Sequence, residues 1–139
     1  MKKIIALYGR GGIGKTSTLN CLIGLLDPLL KKEPSEWRKD RRKKLKYQEK
    51  KVIVTTPGDN ENEIKKNIDF FQKEKGDILI TATRTRGGTI TTLKEYAKKE
   101  NIYIIWIKKN AEKSLCETIN RAQAEDIKAR LLEIITSEK

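Results

Sequence analysis

The chain has 139 residues, which fits one domain better than two, and 36% of them are charged against 37% that are hydrophobic. No apolar run approaches the roughly 20 residues of a membrane-spanning helix, so the composition favours a cytosolic, globular protein. The sequence contains no histidine, which excludes histidine acid–base catalysis and the commonest transition-metal ligand. A net charge of +12 favours anionic partners such as nucleotides or nucleic acid.

Short apolar runs of strand length alternate along the chain with segments of helical periodicity. The predicted strands cover residues 3–8, 52–56, 77–82 and 102–107. The predicted helices cover residues 15–26, 64–71, 90–97 and about 113–135. This alternation predicts an α/β fold of three layers, in which helices cover both faces of a short, mostly parallel sheet of about four strands. Ligands bind beyond the carboxyl ends of such strands, so the loops that follow them are the candidate sites.

The loop after the first predicted strand, GRGGIGKT, satisfies the phosphate-binding pattern G-x-x-x-x-G-K-[ST]. Glycines let several backbone N–H groups face one anion, and the following helix adds a favourable dipole. Lys15 is expected to reach the β and γ phosphates, and the Thr16 hydroxyl is expected to bind Mg²⁺. The predicted nucleotide-binding residues are Gly9, Arg10, Gly11, Gly12, Ile13, Gly14, Lys15, Thr16 and Ser17.

These residues and the βαβ pattern resemble the P-loop NTPase superfamily over most of the chain. The loop is most similar to the deviant motif G-K-G-G-x-G-K-[ST] of the ParA/MinD and nitrogenase iron-protein group. That resemblance implies a nucleotide-sandwich homodimer in which Arg10, at the position of the group's first lysine, reaches the nucleotide of the partner subunit. A solvated Arg10 on the rim of the loop is the alternative.

The second predicted strand continues into Thr55-Thr56-Pro57-Gly58-Asp59, which resembles the D-T-P-G segment of the same superfamily. Thr55 stands where the acidic residue of that segment is expected. In P-loop enzymes such a carboxylate holds Mg²⁺ or positions the nucleophile. Asp59 is therefore the predicted catalytic and metal-binding carboxylate, with Glu61 as its nearest substitute. A turn residue or helix cap is the alternative role for Asp59.

The loop after the third predicted strand carries Arg84 and Arg86 ahead of two glycines. Both arginines are predicted to bind phosphate or to stabilise the transition state as cations, and a solvated basic loop is the alternative. The sequence Lys108-Lys109-Asn110 after the fourth strand lacks N-K-x-D, the guanine signature of GTPases. ATP is therefore expected by default, together with Mg²⁺.

The basic segment, residues 31–51, contains eleven Lys/Arg and four Asp/Glu and so carries more than half of the net charge. It has no clear periodicity and is predicted to be an insertion or lid within the single domain 1–139. Three interpretations stay open: a solvated or disordered stretch, a lid or contact to a phosphorylated substrate, and a nucleic-acid contact that uses Trp37 and Tyr47 for stacking.

The sequence as a whole predicts a small P-loop NTPase that binds ATP and Mg²⁺ and transfers the γ-phosphoryl group to water or to a small acceptor. One alternative is a nucleotide-binding switch or scaffold with little turnover, because Thr55 replaces the expected carboxylate. A small nucleoside or nucleotide kinase is the other.

Overall fold

The computed structural model describes residues 2–27, 40–110 and 116–137, and the side chain of Cys116 lies outside the description. Within these ranges the chain alternates strands and helices in an α/β arrangement, as predicted. The elements are β1 (Lys3–Tyr8), α1 (Lys15–Leu26), β2 (Arg42–Tyr47), β3 (Lys50–Thr55), α2 (Glu61–Lys73), β4 (Ile78–Thr83), α3 (Gly88–Lys99), β5 (Tyr103–Lys108) and α4 (Cys116–Ser137).

The five described strands form one sheet in the order β2-β3-β4-β1-β5. Every neighbouring pair is parallel except β2 and β3, which are antiparallel. The prediction of a mostly parallel sheet with helices between its strands is confirmed, and the sheet has five strands where about four were predicted. No helix in the described part of the chain has the length and apolar character needed to cross a membrane.

The fifth strand, β2, lies inside the basic segment, where the sequence has no clear periodicity and no strand was predicted. Leu45 points into the core, whereas its neighbours Lys44 and Lys46 are exposed. A two-residue turn joins β2 to β3, with positive φ at Gln48 (52°) and Glu49 (68°). Two-residue turns with positive φ usually contain Asn-Gly or Asp-Gly. The Gln48-Glu49 pair lacks that signal, so the sequence did not predict a hairpin here. Residues 31–39, to which the lid prediction also applies, lie outside the described residues.

Each face of the sheet buries its own apolar cluster against a pair of helices. Helices α1 and α4 cover one face, where alternate strand residues such as Ile5 and Leu7 pack with Leu22 and Leu131. Helices α2 and α3 cover the opposite face, which includes the fully buried Phe71. Cys21 belongs to the first cluster as a buried free thiol.

The strand register brings the ends of three strands to one level. Tyr8 at the end of β1 lies beside Thr83 of β4 and beside Lys108 of β5. Strand β4 separates β1 from β3, so the loop after β3 must cross the end of β4 to reach the loop after β1. It does so at Gly58, where a Cβ atom would lie 2.4 Å from the carbonyl oxygen of Ala82. Only glycine permits this approach.

Candidate functional site

The glycine-rich loop joins β1 to α1 and has the backbone geometry of a phosphate cradle. Gly14, at the N-cap of α1, has φ of +94°, and a Cβ atom there would lie 2.8 Å from Oδ1 of Asn120. Gly14 is therefore required both by its left-handed conformation and by close packing. Among the described residues no side chain caps the start of α1. Its first N–H groups are thus suited to an anion.

Lys15 is a buried cation held by neutral oxygens. Its side chain is 6% exposed, and Nζ donates to the carbonyl of Thr83 at 2.7 Å and to the carbonyl of Gly9. Burial lowers the pKa of Lys15 from 10.5 to about 8, with nearby Asp59 opposing the shift and Arg84 adding to it. Neutral oxygens offset little of the cost of burying a charge, so this position is suited to a multiply charged anion.

Thr83 adds a second unsatisfied group at the same place. Its side chain is fully buried, and its Oγ1 has no hydrogen-bond partner among the described residues. Buried hydroxyl groups are normally hydrogen-bonded. An orphaned hydroxyl on the residue whose carbonyl binds Lys15 is consistent with a ligand site.

Thr16 lies against a carboxylate that sequence analysis missed. Its hydroxyl donates to Oδ1 of Asp40 at 3.2 Å, and the hydroxyl of Thr56 donates to the same oxygen at 3.1 Å. Asp40 lies in the basic segment, where it is one of four acidic residues among eleven basic ones. Its position depends on the register between β2 and β3, so no local sequence signal indicates it.

Asp59 and Arg84 form an ion pair above the loop. Oδ1 of Asp59 lies 3.6 Å from Nη2 of Arg84, and Nε of Arg84 donates to the backbone carbonyl of Asp59 at 3.1 Å. The guanidinium packs over Gly11, where a Cβ atom would lie 3.0 Å from Nη2. The structure thus brings Asp59 and Arg84 to the phosphate loop. Arg10 and Arg86 are exposed on their loops.

Thr55 faces the interior of the protein. It is fully buried and donates to the hydroxyl of Thr81 at 2.7 Å. Asn67 of α2 completes this buried polar group by donating to the Pro57 carbonyl at 2.7 Å and to Thr81 at 3.3 Å. The side chain at position 55 therefore stabilises the end of the sheet through internal hydrogen bonds.

The loop after β5 borders the phosphate loop on its other side. Lys109 is 3% exposed and packs against Gly9, and its backbone N–H donates to the Tyr8 carbonyl at 2.8 Å. Gln123 of α4 fixes this loop by accepting from the N–H of Asn110 at 2.8 Å and donating to the Lys108 carbonyl at 2.7 Å. The continuation, residues 111–115, lies outside the described residues.

Comparison with known proteins agrees with this geometry. A sequence model of the family described as 50S ribosome-binding GTPase matches residues 4–132. No significant match is found among curated proteins or among solved structures. The match includes the phosphate loop and every strand and helix that follows it, except the last residues of α4. The chain therefore belongs to this GTPase family and, with it, to the P-loop NTPase superfamily.

Proposed function

We propose that this protein binds a nucleoside triphosphate together with Mg²⁺ and hydrolyses its γ-phosphoryl bond, with GTP as the preferred nucleotide. The observation that carries the proposal is the buried ammonium of Lys15, held by two carbonyl oxygens at the start of an uncapped helix. A triphosphate supplies the negative charge that this position lacks. The family match supports nucleotide binding independently.

Each part of the loop has a distinct role in this proposal. The backbone N–H groups between Gly9 and Thr16 surround the phosphates, and Lys15 exchanges its carbonyl partners for phosphate oxygens. Arg84, already over Gly11, stabilises the charge that develops as the γ-phosphoryl group leaves. Asp59 holds that guanidinium in place through the ion pair. The prediction that Asp59 also binds Mg²⁺ stays a prediction.

The oxygen groups around Thr16 fit Mg²⁺, which prefers hydroxyl and carboxylate ligands and keeps several water molecules. Two hydroxyls and one carboxylate oxygen lie within hydrogen-bonding distance there. When bound, Mg²⁺ supplies positive charge that neutralises the phosphate oxygens. The residues of the chain orient the phosphates and keep the site ordered.

The identity of the base requires a direct test. ATP is the default expectation from the sequence, because N-K-x-D is absent, whereas the family match favours GTP. Lys109, packed on Gly9, lies at the edge of the loop where a base is expected. Competition of unlabelled GTP and ATP against a fluorescent GTP analogue measures the preference. A tighter Kd for ATP than for GTP would contradict the guanine assignment.

A switch with little turnover is the second candidate function. Thr55, where the superfamily carries a carboxylate, is committed to internal hydrogen bonds. A single-turnover experiment with γ-labelled nucleotide distinguishes a hydrolase from a switch, because a switch binds the nucleotide tightly but releases almost no phosphate.

The ParA/MinD-like role of Arg10 in a homodimer is tested in the same experiment. Turnover that rises with protein concentration and disappears in Arg10→Ala supports that role.

The exposed lysines of the basic segment suggest an anionic macromolecular partner. Lys44, Lys46 and Lys51 are exposed on β2 and β3. The name of the matching family refers to the large ribosomal subunit, whose RNA is polyanionic. We therefore include RNA contact through this hairpin in the proposal.

A further inference from the structure

The carboxylate of Asp40 makes the closest side-chain contact to the Thr16 hydroxyl among the described acidic residues. Its Oδ1 accepts from Thr16 at 3.2 Å and from Thr56 at 3.1 Å. Thr16 is the residue of the phosphate loop whose hydroxyl is expected to bind Mg²⁺. One oxygen of Asp40 therefore links Thr16 in the phosphate loop to Thr56, the first residue after β3.

The backbone next to Asp40 is fixed by the sheet. The N–H of Arg41 donates to the Thr56 hydroxyl at 2.8 Å, and the N–H of Thr56 donates to the Arg41 carbonyl at 3.0 Å. These bonds extend the β2–β3 ladder one pair beyond Arg42 and Thr55. Asp40 thus projects from an ordered strand end, as a positioned metal ligand requires.

The distances suit a shared metal ion. In an octahedral shell with bonds of 2.0–2.1 Å, adjacent ligand oxygens lie about 2.9 Å apart. The oxygens of Thr16 and Asp40 are 3.2 Å apart, so a shift of a few tenths of an ångström makes them neighbouring ligands. The other acidic candidate, Asp59, instead pairs with Arg84 and is two-thirds exposed.

We propose that Asp40 supplies the carboxylate ligand of Mg²⁺, in place of the one that Thr55 lacks. This inference rests on the proposed nucleotide binding. The readout is the magnesium enhancement, defined as the ratio of the affinities for a non-hydrolysable GTP analogue measured with Mg²⁺ and with EDTA. Because this ratio is measured at equilibrium, it does not depend on turnover.

Asp40→Asn is the first variant, since asparagine keeps an oxygen that accepts the threonine hydroxyls. We expect this variant to bind the analogue in EDTA as tightly as the wild type does. Its magnesium enhancement should be at least tenfold smaller than that of the wild type, which is the usual effect of removing a group that supports a metal site. Asp69→Asn, an equal charge change on the exposed side of α2, is the control and should keep the enhancement.

Asp40→Cys gives an independent test by metal rescue. A thiolate binds soft metals in preference to Mg²⁺. In Asp40→Cys, cadmium should therefore restore the enhancement that Mg²⁺ no longer gives, and it should not do so in Asp40→Asn, which has lost the enhancement and has no thiol. Circular dichroism confirms that each variant is folded.

The outcomes separate two failures. If the wild type binds the analogue neither with Mg²⁺ nor in EDTA, the proposed function is wrong. If the wild type binds the analogue but Asp40→Asn has the wild-type magnesium enhancement, or if cadmium fails to rescue Asp40→Cys, Asp40 is not the Mg²⁺ ligand. The proposed nucleotide binding is unaffected by that result. Loss of the enhancement in Asp59→Asn alone would assign the ligand to Asp59.

Discussion

The hydroxyl of Thr18 in α1 donates to Oδ1 of Asn120 in α4 at 3.2 Å, and both side chains are buried. The same Asn120 side chain packs against Gly14. One residue of the last helix therefore contacts both the phosphate loop and the helix that begins there.

We expect Asn120→Ala to lower the free energy of unfolding by about 1–3 kcal/mol, because it leaves the Thr18 hydroxyl buried without this partner. Urea unfolding followed by circular dichroism measures the change. Asn62→Ala, at an exposed position of α2, is the matched control and should change stability by less than about 0.5 kcal/mol. Equal midpoints for both variants would show that the contact contributes nothing.

Lys15→Ala removes the cation that is expected to face the β and γ phosphates. The affinity for GTP should weaken by a few kcal/mol, the scale of a charge-assisted hydrogen bond to a buried partner. Calorimetry on the folded variant measures the loss. Equal GTP affinity in wild type and variant would contradict the assignment of the phosphate loop.

Nucleotide binding should take up protons above neutral pH. The pKa of Lys15 in the free protein is about 8, and phosphate raises it by favouring the charged form. Binding at pH 8 should therefore take up about half a proton, and at pH 7 much less, since the ammonium is then already charged. Calorimetry in buffers of different ionisation enthalpy measures this uptake. Lys15→Arg, which stays protonated, should abolish it.

The same pKa predicts how the stability of the free protein depends on pH. The unfolded chain keeps Lys15 protonated up to about 10.5, whereas the folded chain releases the proton from about 8. Between these values the unfolded state binds more protons, so the contribution of Lys15 to stability rises with pH. Thermal unfolding of wild type and Lys15→Met across this window isolates that contribution.

Arg84→Ala should reduce nucleotide turnover by roughly 10² to 10³, the scale of losing one preorganised transition-state donor, with a much smaller effect on GTP affinity. Asp59→Asn should reduce turnover in the same direction, because it frees the guanidinium above Gly11. Single-turnover rates measure both effects. Arg130→Ala, which breaks a surface ion pair with Asp126 on α4, is the control. Unchanged rates in Arg84→Ala would show that this arginine is only a loop residue.

RNA binding by the β2–β3 hairpin should weaken steeply with salt, because each neutralised phosphate of a single strand contributes about −0.7 to the slope of log K against log salt. Replacement of Lys44, Lys46 and Lys51 by glutamine should lower that slope. Fluorescence anisotropy at two salt concentrations measures it. Absence of binding at low salt would leave the hairpin without this role.

Local signals in the sequence were sufficient for part of the fold. Strand β1 and helix α1 have the predicted bounds, because a glycine-ended apolar run and a helical repeat closed by Pro28 define them. The phosphate loop between them is identified by its contiguous motif, G-x-x-x-x-G-K-[ST]. Strand β2 was missed because its only buried side chain is Leu45 and no glycine marks its turn.

Relationships between distant segments could not be read from the sequence. The contact of Asp40 with Thr16 depends on the β2–β3 register, and the contact of Asp59 with Arg84 depends on the placement of β4 between β1 and β3. Neither has a local pattern. Asp59 was singled out because it follows a strand, and the structure places it at the loop through its partner Arg84.

The order of the strands leaves two different edges on the described sheet. An open edge offers unpaired backbone groups to the strand of another chain, and lysines discourage such pairing. Strand β2 carries Lys43, Lys44 and Lys46, so two copies meeting there would repel each other. Strand β5 instead exposes Tyr103 beside half-buried Ile104 and Ile105. Of the two edges of the described sheet, β5 is therefore the one better suited to pairing with a strand of another chain.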